Sequence, residues 1–138
     1  AYMLMGSNDK AENAFKECLS LNPNHKPALF NLARVYQNLE LWEKSNSVLI
    51  KFFKINGPNS SIYSAMAWNK LMSKKLEEAS KLYEKVLSFE SKNREALINL
   101  AKINYSLGKL SISESYIKRT LRLDRLESQS IELEKLLK

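Results

Sequence analysis

The side chains able to make or break bonds in this sequence are few, and they stand apart. One histidine, His25, lies in Pro23-Asn24-His25-Lys26-Pro27, a stretch that reads as a solvent-exposed turn. One cysteine, Cys18, stands where a helix-packing pattern calls for a small apolar residue, so it reads as core and not as a nucleophile. A single histidine and a single cysteine cannot build a His/Cys metal site, and one cysteine closes no internal disulfide. The carboxylates Glu77 and Glu78 are adjacent, but they open a helical segment, where negative charge complements the helix dipole. That role accounts for them better than general acid catalysis. The chain has only 3 glycines, too few for a phosphate-cradling loop. Asn59-Ser60-Ser61 and Asn104-Tyr105-Ser106 match the glycosylation triplet, a pattern too common to carry weight. No catalytic residue, metal ligand or cofactor site is expected, and the expectation is a non-enzymatic chain.

Composition points the same way. The chain has 138 residues, the size of one domain, with 44% apolar residues and only 3 prolines, which suits long helices. It contains no apolar run of the ~18 residues that a membrane span needs. Lone-cysteine usage is compatible with a cytoplasmic or a periplasmic, cell-envelope location. The formal net charge is +7. Such an excess favours acidic partners, anionic membrane surfaces or nucleic acid at long range. Its denser patches, Lys70, Lys74, Lys75 and Lys118, Arg119, Arg122, Arg125, read first as solvated helix faces.

The elements that position these groups emerge from a period. Turn-forming segments Asn22-Pro23-Asn24, Gly57-Pro58-Asn59 and Ser91-Lys92-Asn93 lie about 34 residues apart. Aligned at that period, large residues form columns: Leu29, Tyr63, Leu97; Leu32, Met66, Leu100; Phe15, Leu49, Tyr83, Ile117. Small residues form others: Ala33, Ala67, Ala101, and Ala11, Ser45, Ala79, Ser113. Within a unit the apolar positions are 3, 4 and 7 residues apart, as one helical face requires. The small columns mark where two helices must approach closely, so Ala33 should face Ser45, and Ala67 should face Ala79. Gly6 and Gly108 share a column, suiting a left-handed residue between the two helices of a unit.

These columns resemble the tetratricopeptide repeat family, a 34-residue helix-turn-helix unit of pattern large-x-x-Leu-small-x-x-Tyr, small-x-x-x-aromatic, Pro. Residues Leu29, Leu32, Ala33, Tyr36, Trp42, Ser45 and Leu49 carry the fullest copy. The resemblance implies an all-α, right-handed solenoid and a protein-binding role. Its units are a partial repeat at 1–25, repeats at 26–59, 60–93 and 94–127, and a capping helix at 128–138. Departures carry their own expectations. Phe52 stands where a small residue is usual and should widen a junction. Lys70 and Asn104 replace a tyrosine, so the later units should pack more loosely. Ala1 aligns with the tenth residue of a repeat, so most of a first helix is expected upstream, leaving Ala14, Phe15 and Cys18 on an uncovered edge. Leu126, Leu133, Leu136 and Leu137, with Glu127, Glu132 and Glu134, read as a solvating cap near a natural end.

In the family, first helices line a concave groove. Carried over, that face holds Phe30, Asn31 and Arg34 in one unit, Trp68 and Met72 in the next, and Ile98, Asn99, Lys102 and Tyr105 in the last. Aromatic and apolar anchors, backbone-reading amides and two cations suggest a bound protein or peptide segment, acidic in part. The two-carboxylate clamp by which some members hold chaperone tails does not match. The corresponding positions read Phe30, Arg34, Ala65, Glu95 and Asn99. A small-molecule substrate is not expected, nor nucleic acid, since cations fall on several faces. The alternative is a regulatory or assembly module of a larger protein whose catalytic part lies upstream. The oligomeric state is open, with the N-terminal edge as a second surface.

Overall fold

A computed structural model describes the backbone of residues 2–137, and side chains within 8–129 together with 132, 133, 135 and 136. Among the described residues the chain is all helix: α1 (Tyr2–Leu21), α2 (Lys26–Asn38), α3 (Trp42–Asn56), α4 (Ser60–Met72), α5 (Leu76–Phe89), α6 (Arg94–Ser106) and α7 (Leu110–Leu137). Each helix packs chiefly on its chain neighbours, the contact pattern of a solenoid.

Two local devices recur at the sequence period. The first starts the helices. His25, Asn59 and Asn93 are the N-caps of α2, α4 and α6, and each accepts a hydrogen bond from the backbone N–H three residues on: Ala28 at 3.2 Å, Ile62 at 2.9 Å and Ala96 at 2.9 Å. His25 is therefore a half-buried capping residue and not the exposed turn residue expected. The second device turns the chain between the helices of a unit. Glu40, Lys74 and Gly108 have φ of 59°, 63° and 78°, and the next residue's N–H reaches back to Tyr36, Lys70 and Asn104. Two side-chain-bearing residues thus occupy a left-handed conformation that suits glycine. Lys74→Gly is expected to raise stability by about 0.5–1 kcal/mol in urea denaturation. Gly108→Ala should lower it by a similar amount. Nothing lies within 4 Å of the added Cβ, so its cost is backbone strain alone.

The small columns do what their size allows. Ser45 Oγ donates to the Ala33 carbonyl at 2.8 Å, and Ser113 Oγ to the Ala101 carbonyl at 2.7 Å, so each pair of backbones meets through one hydroxyl. Ala67 and Ala79 meet in the next unit, fully buried. Around them Tyr83, Val86, Leu100 and Ile103 form one core cluster, and Leu49 and Ile62 another. Looser packing of the later units is not found. Asn104 is buried with its amide donating to the Leu100 carbonyl, and Lys70 pairs with Glu78 at 3.0 Å. That ammonium holds the Glu78 carboxyl below the ordinary range. Phe52 is accommodated edge-on against Phe30, ring centroids 6.1 Å apart.

Two expectations near the ends are corrected. Gly6 makes no turn: it lies within α1, which runs unbroken from Tyr2. Nor is 128–138 a separate capping helix, because α7 is continuous to Leu137. The reason is local. Where earlier unit boundaries carry Asn, Pro or Gly and an N-cap, the fourth reads Asp124-Arg125-Leu126-Glu127, which contains no breaker. At the N-terminal edge Phe15 and Cys18 are half-buried and Ala14 is exposed.

Candidate functional site: the groove of the first helices

The outer faces of α2, α4 and α6 carry the nine residues expected in the groove, and their burial and bonding differ. Phe30 is half-buried against Phe52, and so is committed to the fold as much as to a ligand. Asn31 is half-buried and Arg34 exposed, both on α2. Trp68 and Met72 are exposed on α4. Asn99 departs from expectation. It is only 7% exposed, and its amide donates to the Tyr83 hydroxyl at 3.0 Å. Its first task is to satisfy a phenol in the core, so it is not a free backbone-reading amide.

The middle of the groove is polar. Trp68 stands over a hollow of about 350 Å³ shared with Gln37, Ser60, Ser61, Ser64, Glu90 and Glu95. Ser60 Oγ donates to Glu90 at 2.6 Å and Asn93 Nδ2 to its other oxygen at 2.9 Å, bonds that hold the Glu90 carboxyl below the ordinary range. This stretch therefore presents negative charge, flanked by Arg34 on α2 and Lys102 on α6.

The C-terminal end is apolar. Ile98, Lys102 and Tyr105 of α6 line a trough of about 450 Å³ together with Ser113, Ile117, Thr120 and Leu121 of α7. Only the first three were expected from sequence. Ile117 and Leu121 were missed because they lie on a second helix, and second helices were assigned to packing. Yet the column was informative. Leu49 and Tyr83, its inner members, are 0% exposed, whereas Ile117 is 46% exposed. Leu49 and Tyr83 are covered by the helices that follow them. Among the described residues nothing covers Ile117.

Repeating helical hairpins packed each on its chain neighbours define a helical-repeat fold. Tetratricopeptide repeats are matched in residues 1–45. Residues 1–25 and 14–45 each match a sequence model described as tetratricopeptide repeat. No curated protein sequence matches the chain. A crystal structure of MamA is similar at 19% identity and a TM-score of 0.78, over 86% of this chain and 69% of that one. MamA residues 41 to end, from Desulfovibrio magneticus RS-1, gives 16% identity and a TM-score of 0.80 over 88% and 68%. Both likenesses speak to the fold alone. The first repeat domain of Spaghetti (RPAP3), solved with the HSP90 peptide SRMEEVD, is 29% identical with a TM-score of 0.69, over 78% of this chain and 85% of that one.

Proposed function

We propose that this chain is a scaffold that binds an amphipathic helix of a partner protein, seated in the α6–α7 trough and continuing along the groove towards Trp68. One observation carries this reading: the trough is the place that the two inner units fill with α4 and α6. The chain thus supplies its own template for the occupant. α6 enters its site with Ala96, Leu97, Leu100 and Ile103, all buried, at spacings of 1, 4 and 7. A partner helix with small and branched apolar residues at those spacings would bury Ile98, Tyr105, Ile117 and Leu121. Lys102 at the rim favours a carboxylate on that helix. Phe30, Asn31, Arg34 and Met72 extend the surface, while Asn99 supports it from beneath through Tyr83.

The RPAP3 domain, bound to an HSP90 peptide, supports a protein or peptide partner. An acidic tail lying along the whole groove is not favoured here, because Glu90 and Glu95 would repel it at the middle. Affinity capture from source-cell extract with wild type, Tyr105→Ala/Ile117→Ser and Trp68→Ala is the test. A protein recovered by wild type, and at least tenfold less by the Tyr105/Ile117 variant, is the expected result. Recovery by all three alike would move the site off the groove.

A further inference from the structure

The second helices of successive units run parallel, so their C-terminal ends share one edge of the solenoid. The same couple, four residues apart, recurs at the period of the repeat. Lys51 precedes Ile55, Lys85 precedes Phe89 and Arg119 precedes Leu123, each by one helical turn on one face. Ile55 is 39% exposed and Phe89 52%, and Leu21, the same column in the first unit, is 85% exposed. Lys51 and Lys85 precede the last turns of α3 and α5, so the helix dipole accounts neither for these cations nor for the exposed apolar residues beside them. Lys51 and Lys85 form no ion pair among the described residues.

A second feature lies at the same edge. Lys92, Arg119 and Arg122 rim a hollow of about 330 Å³ whose floor includes Leu97, Leu123 and Leu126. Arg119 Nη2 donates to the Ser91 carbonyl at 3.2 Å, which fixes its guanidinium on the rim. The acids nearby are mostly engaged: Glu90 by Ser60 and Asn93, and Asp124 by Arg94 at 3.1 Å. Glu17, in the Lys51 column of the first unit, and Glu84 form no ion pair among the described residues.

We propose that this edge docks on an anionic bilayer surface, with Leu21, Ile55 and Phe89 entering the headgroup layer and the Lys92–Arg119–Arg122 hollow taking a lipid phosphate. Single apolar side chains separated by cations suit an interface that is apolar a few ångströms below its charges. Nucleic acid would call for several free stacking aromatics among the cations; Leu21 and Ile55 cannot stack, and the Phe89 ring already packs on Tyr63, centroids 5.9 Å apart. Among the described residues no helix is long and apolar enough to cross a membrane, and the proposed mode is surface attachment. This site is separate from the groove and does not depend on that reading.

The test is vesicle flotation with phosphatidylcholine alone and with 30% phosphatidylserine (about the anionic fraction that gives a strong surface potential). Wild type should float with the anionic vesicles only, and less as salt rises. Lys51→Glu/Lys85→Glu should weaken binding by about a hundredfold, and Leu21→Ser/Ile55→Ser by about tenfold. All these residues are exposed, and circular dichroism melting checks that the variants stay folded. Equal binding to both vesicles, none to either, or full binding by the serine variant would overturn the proposal. So would release from anionic vesicles by millimolar inorganic phosphate or by a single-stranded oligonucleotide that the protein binds more tightly.

Discussion

Tyr83→Ala is expected to lower the unfolding free energy by about 3–5 kcal/mol, the largest loss from any single side chain in this chain. Tyr83 is the largest fully buried residue. It sits on α5 where α4 and α6 converge, in one cluster with Ala67, Ala79, Val86, Ala96, Leu100 and Ile103. Three of those neighbours are alanines, which cannot lengthen into the space left behind, so the cavity term adds to the lost transfer energy. The hydroxyl contributes separately. Burial pushes its pKa far above the ordinary value, so the phenol stays neutral and accepts from Asn99. Tyr83→Phe keeps the volume and removes only that partner, so a loss of about 1 kcal/mol is expected. Urea denaturation followed by circular dichroism measures both. A Phe variant as damaged as the Ala variant would mean that the hydrogen bond, and not the filling of space, holds this junction.

The second large effect falls on Asn69. Asn69→Leu, close in volume, should cost about 2–3 kcal/mol although it adds apolar surface. Asn69 is 0% exposed. Its amide nitrogen donates to Asn46 Oδ1 at 2.7 Å and to Ser45 Oγ at 2.9 Å, and its oxygen accepts from Gln37 Nε2 at 2.8 Å. One α4 side chain thereby ties α2, α3 and α4 together. Leucine leaves Asn46, itself buried, with an acceptor facing hydrocarbon. Ser45 is less affected, since its hydroxyl still donates to Ala33. Because the cost is an orphaned partner, Asn69→Leu/Asn46→Leu should be clearly less damaging than the sum of the two single changes. Strict additivity in that cycle would show that packing, and not satisfaction of polar groups, sets the value.

These two residues also show where sequence reasoning reached and where it stopped. Tyr83 was expected in the core because it falls in a column of large residues spaced for one helical face. Asn69 gave a divided signal. Its column reads Val35, Asn69, Ile103, an apolar register that holds one amide, and the partners of that amide come into view only when the units are stacked. Asn99 differs in the opposite sense, since its groove register suggests a reader of ligand backbone while its amide serves the Tyr83 hydroxyl. In both cases burial depends on a side chain from another helix. The N-caps at His25, Asn59 and Asn93 were within reach, because each precedes a helix at the same register, yet attention to proline in those turns hid them.

The sequence by itself determined the period, the helix-turn-helix unit, the close approach of Ala33 to Ser45 and the all-α class. Each follows from demands met within about 34 residues: a 3.6-residue helical face, a small residue where backbones touch, and a turn that admits φ > 0. The tertiary structure decided what happens where units meet or fail to meet. It buries Asn69 and Asn99, leaves Ile117 open while sealing Leu49 and Tyr83, and carries α7 straight through the fourth boundary. The physical reason is that exposure belongs to a pair of surfaces. The same column is core when the next helix covers it and binding surface when none does, and no residue type records which.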